Sequence, residues 1–339
     1  MKLSILIKAF NEETLIANCL EAALAEIQKI GDGEVILVDS LSSDRTVEIA
    51  RHYSVRVIQF SHKTDCGCAS AVQLGYQYAH GEYLYVLDGD MVIQAGFLIE
   101  AISYLESSPD VAGVAGKLID TNIQTLADKR RASAASALRQ SEEVGQLDGG
   151  GLYRRKAIES VNYLAHRWLP ACEEAELGAR LRANGWRLVR LPLVAVYHTG
   201  HSESHFQRLK RLWRNRRMHA YGMYLRTAFG QPWWRFCVRQ TWFVFTAPIL
   251  HLTAVIFAFI VAYLEAMTFI PIFIIAECLV WLGVIAILAI RKKSLADALL
   301  SAYTWNVYVI AAVLGAMRSI PDPSIPIDAQ ELTGNSTSQ

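Results

Sequence analysis

Apolar and polar positions change their period along this chain. Over the first hundred residues, short β-branched runs alternate with stretches whose apolar residues recur at helical spacing. LSILIKAF (3–10), EVILVDS (34–40), VRVIQF (55–60) and YLYVLDGD (83–90) predict strands, and EETLIANCLEAALAEIQKI (12–30), SSDRTVEIARHY (42–53) and ASAVQLGYQYAH (69–80) predict helices. The first of these helices stops at Gly31-Asp32-Gly33 and the last at Gly81, while Ser and Asp open the middle one, as capping residues do. Strands alternating with helices imply βαβ units with right-handed crossovers, hence an α/β domain built on a Rossmann-like, mostly parallel sheet. Further on, GGGLYRRKAIESV (149–161) reads as a glycine-rich loop entering a helix. CEEAELGARLRANGWRLVRLP (172–192) reads as a helix closed by Asn184-Gly185 and followed by a strand.

Beyond residue 240 the sequence turns almost continuously apolar. Three stretches, near 241–264, 269–290 and 297–317, each approach the ~20 residues needed to cross a bilayer. Basic clusters set the expected orientation: Arg235 and Arg239 precede the first span, and Arg291, Lys292 and Lys293 follow the second. Both belong on the cytoplasmic side, so the third span leaves again and the tail lies outside. The chain thus divides into a catalytic domain (1–204), a basic and aromatic interfacial segment (205–240), a transmembrane helical region (241–317) and a polar, proline-containing tail (318–339) expected to be disordered. Glu277, inside the second span, is costly there and should face another helix or a polar lipid group.

Composition agrees with this division: 53% of the 339 residues are hydrophobic, and the net charge is only +1. No global basic field points to nucleic acid, and the basic run RLKRLWRNRR (208–217) is local. Of the six cysteines, Cys66 and Cys68 form C-x-C, which lacks zinc-finger spacing and a second ligand pair, so all six read as reduced thiols of a cytosol-facing protein.

In open parallel sheets, ligands bind beyond the carboxyl ends of the strands. Asp39 falls there after the second strand, and Asp88 and Asp90 after the fourth. Residues i and i+2 of a strand point the same way, so Asp88 and Asp90 face one spot, and Gly89 between them leaves room for close approach. Two carboxylates so close repel unless a cation sits between them. Mg²⁺ and Mn²⁺ are hard ions that take such oxygen ligands and bridge to phosphates.

These blocks, in this order, resemble the family 2 glycosyltransferases, which have the GT-A fold. The resemblance covers about residues 1–200 and rests on SILIKAFNEETLIANCLEA, EVILVDSLSSDRTVEIA, GCASAVQLGYQYAHGEYLYVLDGD and CEEAELGARLRANGWRLVRLP. It implies a nucleotide-diphosphate sugar donor, Mg²⁺ or Mn²⁺, and inversion at the anomeric carbon. It assigns Asp39 to the nucleotide base or ribose, and Lys8, Phe10, Asn11 and Glu12 to the first nucleotide-contacting loop, with Lys8 departing from the proline or valine usual there. Asp44 and Thr46 match a further segment of this kind, and either contact the nucleotide or cap the next helix. Asp88 and Asp90 match the metal-binding D-x-D motif, Asp90 as the direct ligand. Glu173-Glu174 matches the acid pair of the acceptor side. Glu174 stands where the general base does and replaces an aspartate. His198 stands where related enzymes place a third metal ligand.

QRLKRLW (207–213) resembles the Q-x-x-R-W motif of processive members but puts Lys210 where the arginine belongs and Arg211 one residue late. Gln207, Arg208, Arg211 and Trp213 are therefore candidates for the acceptor site or the leaving diphosphate, beside the simpler reading of an interfacial anchor. A membrane-anchored enzyme of this kind has membrane lipids as neighbours and a lipid-linked or glycan acceptor, with catalysis at the cytoplasmic face of the cell membrane. The rival expectations are a polyprenyl-phosphate glycosyltransferase and a non-catalytic membrane scaffold.

Overall fold

The computed structural model describes residues 1–123, 126–199 and 205–332. The elements in chain order are β1 (Leu3–Ala9), α1 (Ile16–Ile30), β2 (Gly33–Asp39), α2 (Thr46–Ala50), β3 (Arg56–Phe60), α3 (Cys68–Tyr78), β4 (Tyr83–Asp88), β5 (Met91–Ile93), α4 (Phe97–Ser107) and β6 (Val111–Asp120). There follow α5 (Leu126–Ala137), β7 (Glu142–Glu143), β8 (Gly151–Arg154), α6 (Arg155–Glu159), α7 (Glu173–Ala183), β9 (Arg187–His198) and α8 (His205–Arg214). The rest is helical, with α9 (Ala220–Ala228), α10 (Trp234–Gln240), α11 (Trp242–Leu264), α12 (Phe269–Lys292) and α13 (Leu295–Ala316), until the chain ends in β10 (Ala329–Leu332).

Among the described residues the strands form one sheet, ordered β10-β3-β2-β1-β4-β8-β6-β9-β5, with β7 beside β9. The expected parallel order holds across β3-β2-β1-β4. Beyond β4 the sheet is mixed. β8 runs antiparallel to both β4 and β6, whereas β6 and β9 are parallel. Both faces are covered, which is why the central strands are continuous apolar runs rather than alternating ones. Leu3, Ile5, Ile7, Leu37 and Tyr85 belong to one buried cluster, while Leu6, Ile36, Val38 and Leu84 belong to the other.

The chain forms two compact units. One comprises 1–215, 231–233 and 320 onward, and the other 216–230 and 234–319. The first extends past the expected limit at residue 204, and the tail expected to be disordered and to lie outside belongs to it. β10 pairs antiparallel with β3, Ile327 is buried, Gln77 exchanges two hydrogen bonds with the Ile327 backbone, and Arg167 donates to the carbonyls of Ile325 and Pro326. Residues 333–339 lie outside the described residues. The polar, proline-containing sequence gives no periodic signal, but its carbonyls and the unpaired edge of β3 satisfy each other.

In the second unit, α11, α12 and α13 are each long and apolar enough to cross a membrane. Glu277 on α12 does face neighbouring helices. Its carboxylate lies 3.0 Å from Nδ1 of His251 on α11, whose Nε2 lies 2.9 Å from Oδ1 of Asn306 on α13.

Candidate active site

β2, β1 and β4 end together. Ala9 is in register with Asp39, and Lys8 with Asp88. With adjacent strands about 4.8 Å apart, Asp39 and Asp88 stand roughly 10 Å from each other along one sheet edge. The loops leaving these strands are laced together. Asn11 Oδ1 accepts from the Ser43 amide at 2.8 Å, the Glu12 amide donates to Thr46 Oγ1 at 2.8 Å, and the Glu13 amide donates to Asp44 Oδ2 at 3.0 Å. Asp44 also accepts from Thr46 N and Oγ1, so it both starts α2 and ties the two loops. These hydrogen bonds hold its carboxyl below the usual value although burial pushes the other way. Asn11 and Leu41 are left-handed, with φ of 56° and 60°, a costly conformation for leucine that only the surrounding contacts sustain. Phe10 is 57% exposed beside them.

Asp39 is fully buried and accepts from the Ser42 amide and from Gln59 Nε2 at 2.9 Å. Glu12 faces the aspartates. Burial, then Asp90, Asp88 and Asp44, push its carboxyl up to about 7. Gly89 eases this approach: a Cβ there would lie 3.2 Å from Glu12 Cγ and 3.4 Å from the Lys8 carbonyl, so a neighbour would have to give by a few tenths of an ångström.

The two aspartates have different partners. Asp88 Oδ1 is 2.9 Å from Lys8 Nζ, and the same ammonium is 3.7 Å from Glu173 Oε1. Burial disfavours the Lys8 charge, but Asp88 and Glu173 outweigh it and hold the group well above its ordinary value. Lys8 therefore joins the end of β4 to the start of α7. Asp90 Oδ2 instead lies 3.3 Å from His198 Nε2, at the end of β9, and His198 Nδ1 lies 2.7 Å from Asp120 Oδ1, at the end of β6. Asp120 is itself held by Arg131 at 2.9 and 3.1 Å. The Asp90 and Asp120 contacts push His198 up to about 9 against its burial.

At α7, Cys172 is left-handed (φ 70°) and turns the chain so that Glu173 and Glu174 occupy the first helical turn. Glu173 is buried, and among the described residues its Oε2 has no hydrogen-bond partner. Burial and then the neighbouring Glu173 push Glu174 up to about 8, with Lys8 pulling the other way. Lys8, Asp148, Tyr153, Leu164, Glu173 and Glu174 border one small cleft. Glu176, the next acid, points elsewhere and is paired with Arg180 at 2.8 Å.

The structure thus forms two contact sets, Lys8 with Asp88 and Glu173, and His198 with Asp90 and Asp120, while Glu12 lies close enough to feel both Asp88 and Asp90, and Glu174 close enough to feel Lys8 and Asp88. Asp39, Asn11 and Phe10 border the same strand ends. Gln207, Arg208, Arg211 and Trp213 lie together on α8. Among the described residues, no three acid, His or Cys side chains are already arranged around one point as metal ligands. The donor set nonetheless fits a divalent cation: Asp90 and the His198 Nε2 edge face each other, Asp120 fixes the imidazole from behind as second-sphere carboxylates do, and crowded acids raise Glu12. Sequence reasoning missed Asp120 and the bridging role of Lys8. Asp120 carried a readable signal, since it closes β6 as Asp39 closes β2 and Asp88 closes β4.

The model of the Glycosyl transferase family 2 matches residues 4–161. The chain is 29% identical over 167 residues to undecaprenyl-phosphate 4-deoxy-4-formamido-L-arabinose transferase of Pectobacterium atrosepticum, covering 47% of this chain and 50% of that one. It is 27% identical to dolichyl-phosphate hexose transferase of Haloferax volcanii, over 56% of this chain and 81% of that one. The chain spans about half the length of the first curated relatives it matches. Among solved structures, mannosyltransferase PcManGT from Pyrobaculum calidifontis, determined with GDP-Man and Mn²⁺, superposes with a TM-score of 0.61 at 19% identity, over 93% of this chain and 87% of that one. S. aureus TarS 1–349 with UDP-GlcNAc gives 0.53 at 18% identity, over 66% of each chain. Residues 4–161 thus match the family 2 glycosyltransferase model, and the sheet has the GT-A fold.

Proposed function

We propose that the chain is a membrane-anchored, metal-dependent, inverting glycosyltransferase of the hexosyltransferase type. It moves a sugar from a nucleotide-diphosphate sugar to a hydroxyl of a lipid-linked or polysaccharide acceptor, at the cytoplasmic face of the cell membrane. The observation that carries this reading is the Lys8 bridge, 2.9 Å to Asp88 and 3.7 Å to Glu173, which links the D-x-D segment to the acid pair.

Asp39 and the Asn11–Glu12 loop receive the nucleoside. Asp90 and His198, with Asp88 beside them, would hold a divalent cation, which when bound supplies Lewis acidity to the leaving diphosphate. Glu174 takes the proton from the acceptor hydroxyl. That oxygen bonds to the anomeric carbon from the face opposite the diphosphate, and the nucleoside diphosphate departs with the electrons of the broken C–O bond. A base poised near 8 suits this task, because it is partly ionised at neutral pH yet basic enough to accept the proton. Lys8 stays charged between Asp88 and Glu173 and keeps the site from repelling a diphosphate. Gln207, Arg208, Arg211 and Trp213 are assigned to the acceptor entrance on the strength of their sequence pattern.

A second reading, transfer to a polyprenyl phosphate, is favoured by the names of the Pectobacterium and Haloferax relatives. A phosphate oxygen is already anionic and needs no base. The test is to incubate the purified full chain with a panel of nucleotide sugars, Mn²⁺ or Mg²⁺, and either a polyprenyl phosphate or a lipid-linked sugar, and to measure released nucleotide. Transfer to the sugar that is lost in Glu174→Gln supports the first reading. Transfer to the phosphate that survives Glu174→Gln replaces it with the second.

A further inference from the structure

Both ends of the apolar region belong to the sheet's unit: residues 231–233 precede it, and 320–332 follow it. If the chain is membrane-bound, as the reading above holds, these two ends lie on one side of the bilayer. An even number of crossings is then required, and three apolar helices cannot all cross.

The contacts identify the exception. His251 on α11 meets Glu277 on α12, and one to two turns further Ala254 and Ala258 pack with Ala276 and Ile272. Residue numbers rise on one helix as they fall on the other, so α11 and α12 form an antiparallel hairpin. α13 meets α11 differently. The ring centroids of Phe243 and Tyr308 are 5.3 Å apart, and His251 Nε2 is 2.9 Å from Asn306. Eight residues along α11, about 12 Å of rise, correspond to only two along α13. α13 therefore does not follow α11 residue for residue as α12 does.

Both ends of α13 also carry marks of the sheet's side. It starts directly after Arg291, Lys292 and Lys293, and Lys292 donates to the Asp297 carbonyl and to Ser301 Oγ. Its last turns pack on α9 and the turn before it. A Cβ on Gly222 would overlap the Ala312 carbonyl, and one on Gly315 the His219 carbonyl, while Arg226 caps the carbonyls of Ala316 and Arg318. The 216–230 segment leaves the sheet's unit and returns to it within fifteen residues that include Arg216, Arg217 and Arg226. That is too short and too charged to cross twice. α13 is moreover the least apolar of the three, with a mean hydropathy of 1.5 against 2.3 and 2.7. Leu295, Leu299, Tyr303, Ile310 and Val313 on α13 and Met317 just after it are exposed at helical spacing and share one side, while Ala312 and Gly315 are buried on the other.

We propose that only α11 and α12 cross the bilayer, as a hairpin, and that α13 lies in the plane of the leaflet on the sheet's side with this apolar stripe against the acyl chains. A bilayer leaflet is the partner that an apolar stripe bounded by lysines and arginines fits. The test uses the full chain in membranes of intact cells, with Met267→Cys in the α11–α12 turn, Ala296→Cys at the start of α13 and Ser324→Cys in the tail, each compared with the unmodified chain. A membrane-impermeant maleimide added outside should label Met267→Cys before permeabilisation, and Ala296→Cys and Ser324→Cys only after it. Spin labels at Leu299, Tyr303, Ile310 and Met317 should report one shallow depth. Labelling of Ser324→Cys from outside, protection of Met267→Cys, or depths that increase steadily along α13 would overturn the proposal. Recovery of the chain in the soluble fraction would instead remove the membrane reading beneath it.

Discussion

Helix α7 carries two acidic regions that behave in opposite ways. Glu176 is buried and satisfied: Arg180 meets both its oxygens at 2.8 Å, Tyr163 Oη donates at 2.8 Å, and the same guanidinium donates to the carbonyls of Val161 and Tyr163 and lies over the Tyr163 ring. One turn earlier, Glu173 leaves an oxygen without a hydrogen-bond partner among the described residues, and Glu174 is pushed up to about 8. Buried carboxylates in a folded protein are normally paired. The contrast teaches that acids one turn apart on a single helix differ in pairing, and that the proposed function draws on the incompletely paired ones beside the strand-end cleft.

The largest effect expected from this contrast falls on the open cluster. Asp90→Asn should lower sugar transfer on the order of a thousandfold, since a charge clamp on a leaving diphosphate supplies several kcal/mol and each 1.36 kcal/mol is a factor of ten. Its urea midpoint should stay close to the parent's. Glu176→Gln should do the reverse. Leaving the Arg180 charge uncompensated in the interior costs about 3–5 kcal/mol, read as a lower unfolding midpoint, while turnover by the folded fraction persists. A Glu176→Gln chain that is fully stable but inactive would break the comparison.

Smaller effects sharpen it. Asp120→Asn leaves Asp90 and His198 in place but loosens the imidazole, so transfer should fall about 10–100-fold, with more Mn²⁺ needed for half-maximal rate. Lys8→Met should act on the pH profile. Lys8 favours the ionised form of Glu174, so its removal raises that carboxyl further, and the ascending limb of kcat/KM should move to higher pH. A limb that moves down, or does not move, would show that Lys8 does not couple the two acid groups.

Much of this was legible in the chain itself, for identifiable reasons. β1, β2 and β4 announce themselves because each is an apolar run bounded by glycine, asparagine or aspartate, and the carboxylates that end β2 and β4 mark the ligand edge. β8 reads as loop in the sequence because Gly149 and Gly150 precede it, Gly151 opens it and only Leu152 and Tyr153 carry apolar side chains. β10, with the sequence AQEL, has no strand signature, and its pairing with β3 depends on a chain segment about 270 residues away. The partners of His198 and Lys8 were likewise invisible. Asp120 stands 78 residues before the histidine, and Glu173 stands 165 residues after the lysine. Local patterns reveal which residues lie at strand ends, whereas only the fold reveals which of them are left partly unpaired.

The central claim is that Glu174, rather than its better-paired neighbour, removes the acceptor proton. The most direct measurement is kcat/KM against pH for the parent chain and Glu174→Gln, with whichever donor and sugar acceptor support turnover. The parent should rise with pH through about 8 and level off, because the carboxyl must lose its proton to act as a base. Glu174→Gln should be slower by about two to four orders of magnitude and lack that limb. Parent-like turnover by Glu174→Gln, with the limb intact, would contradict the account.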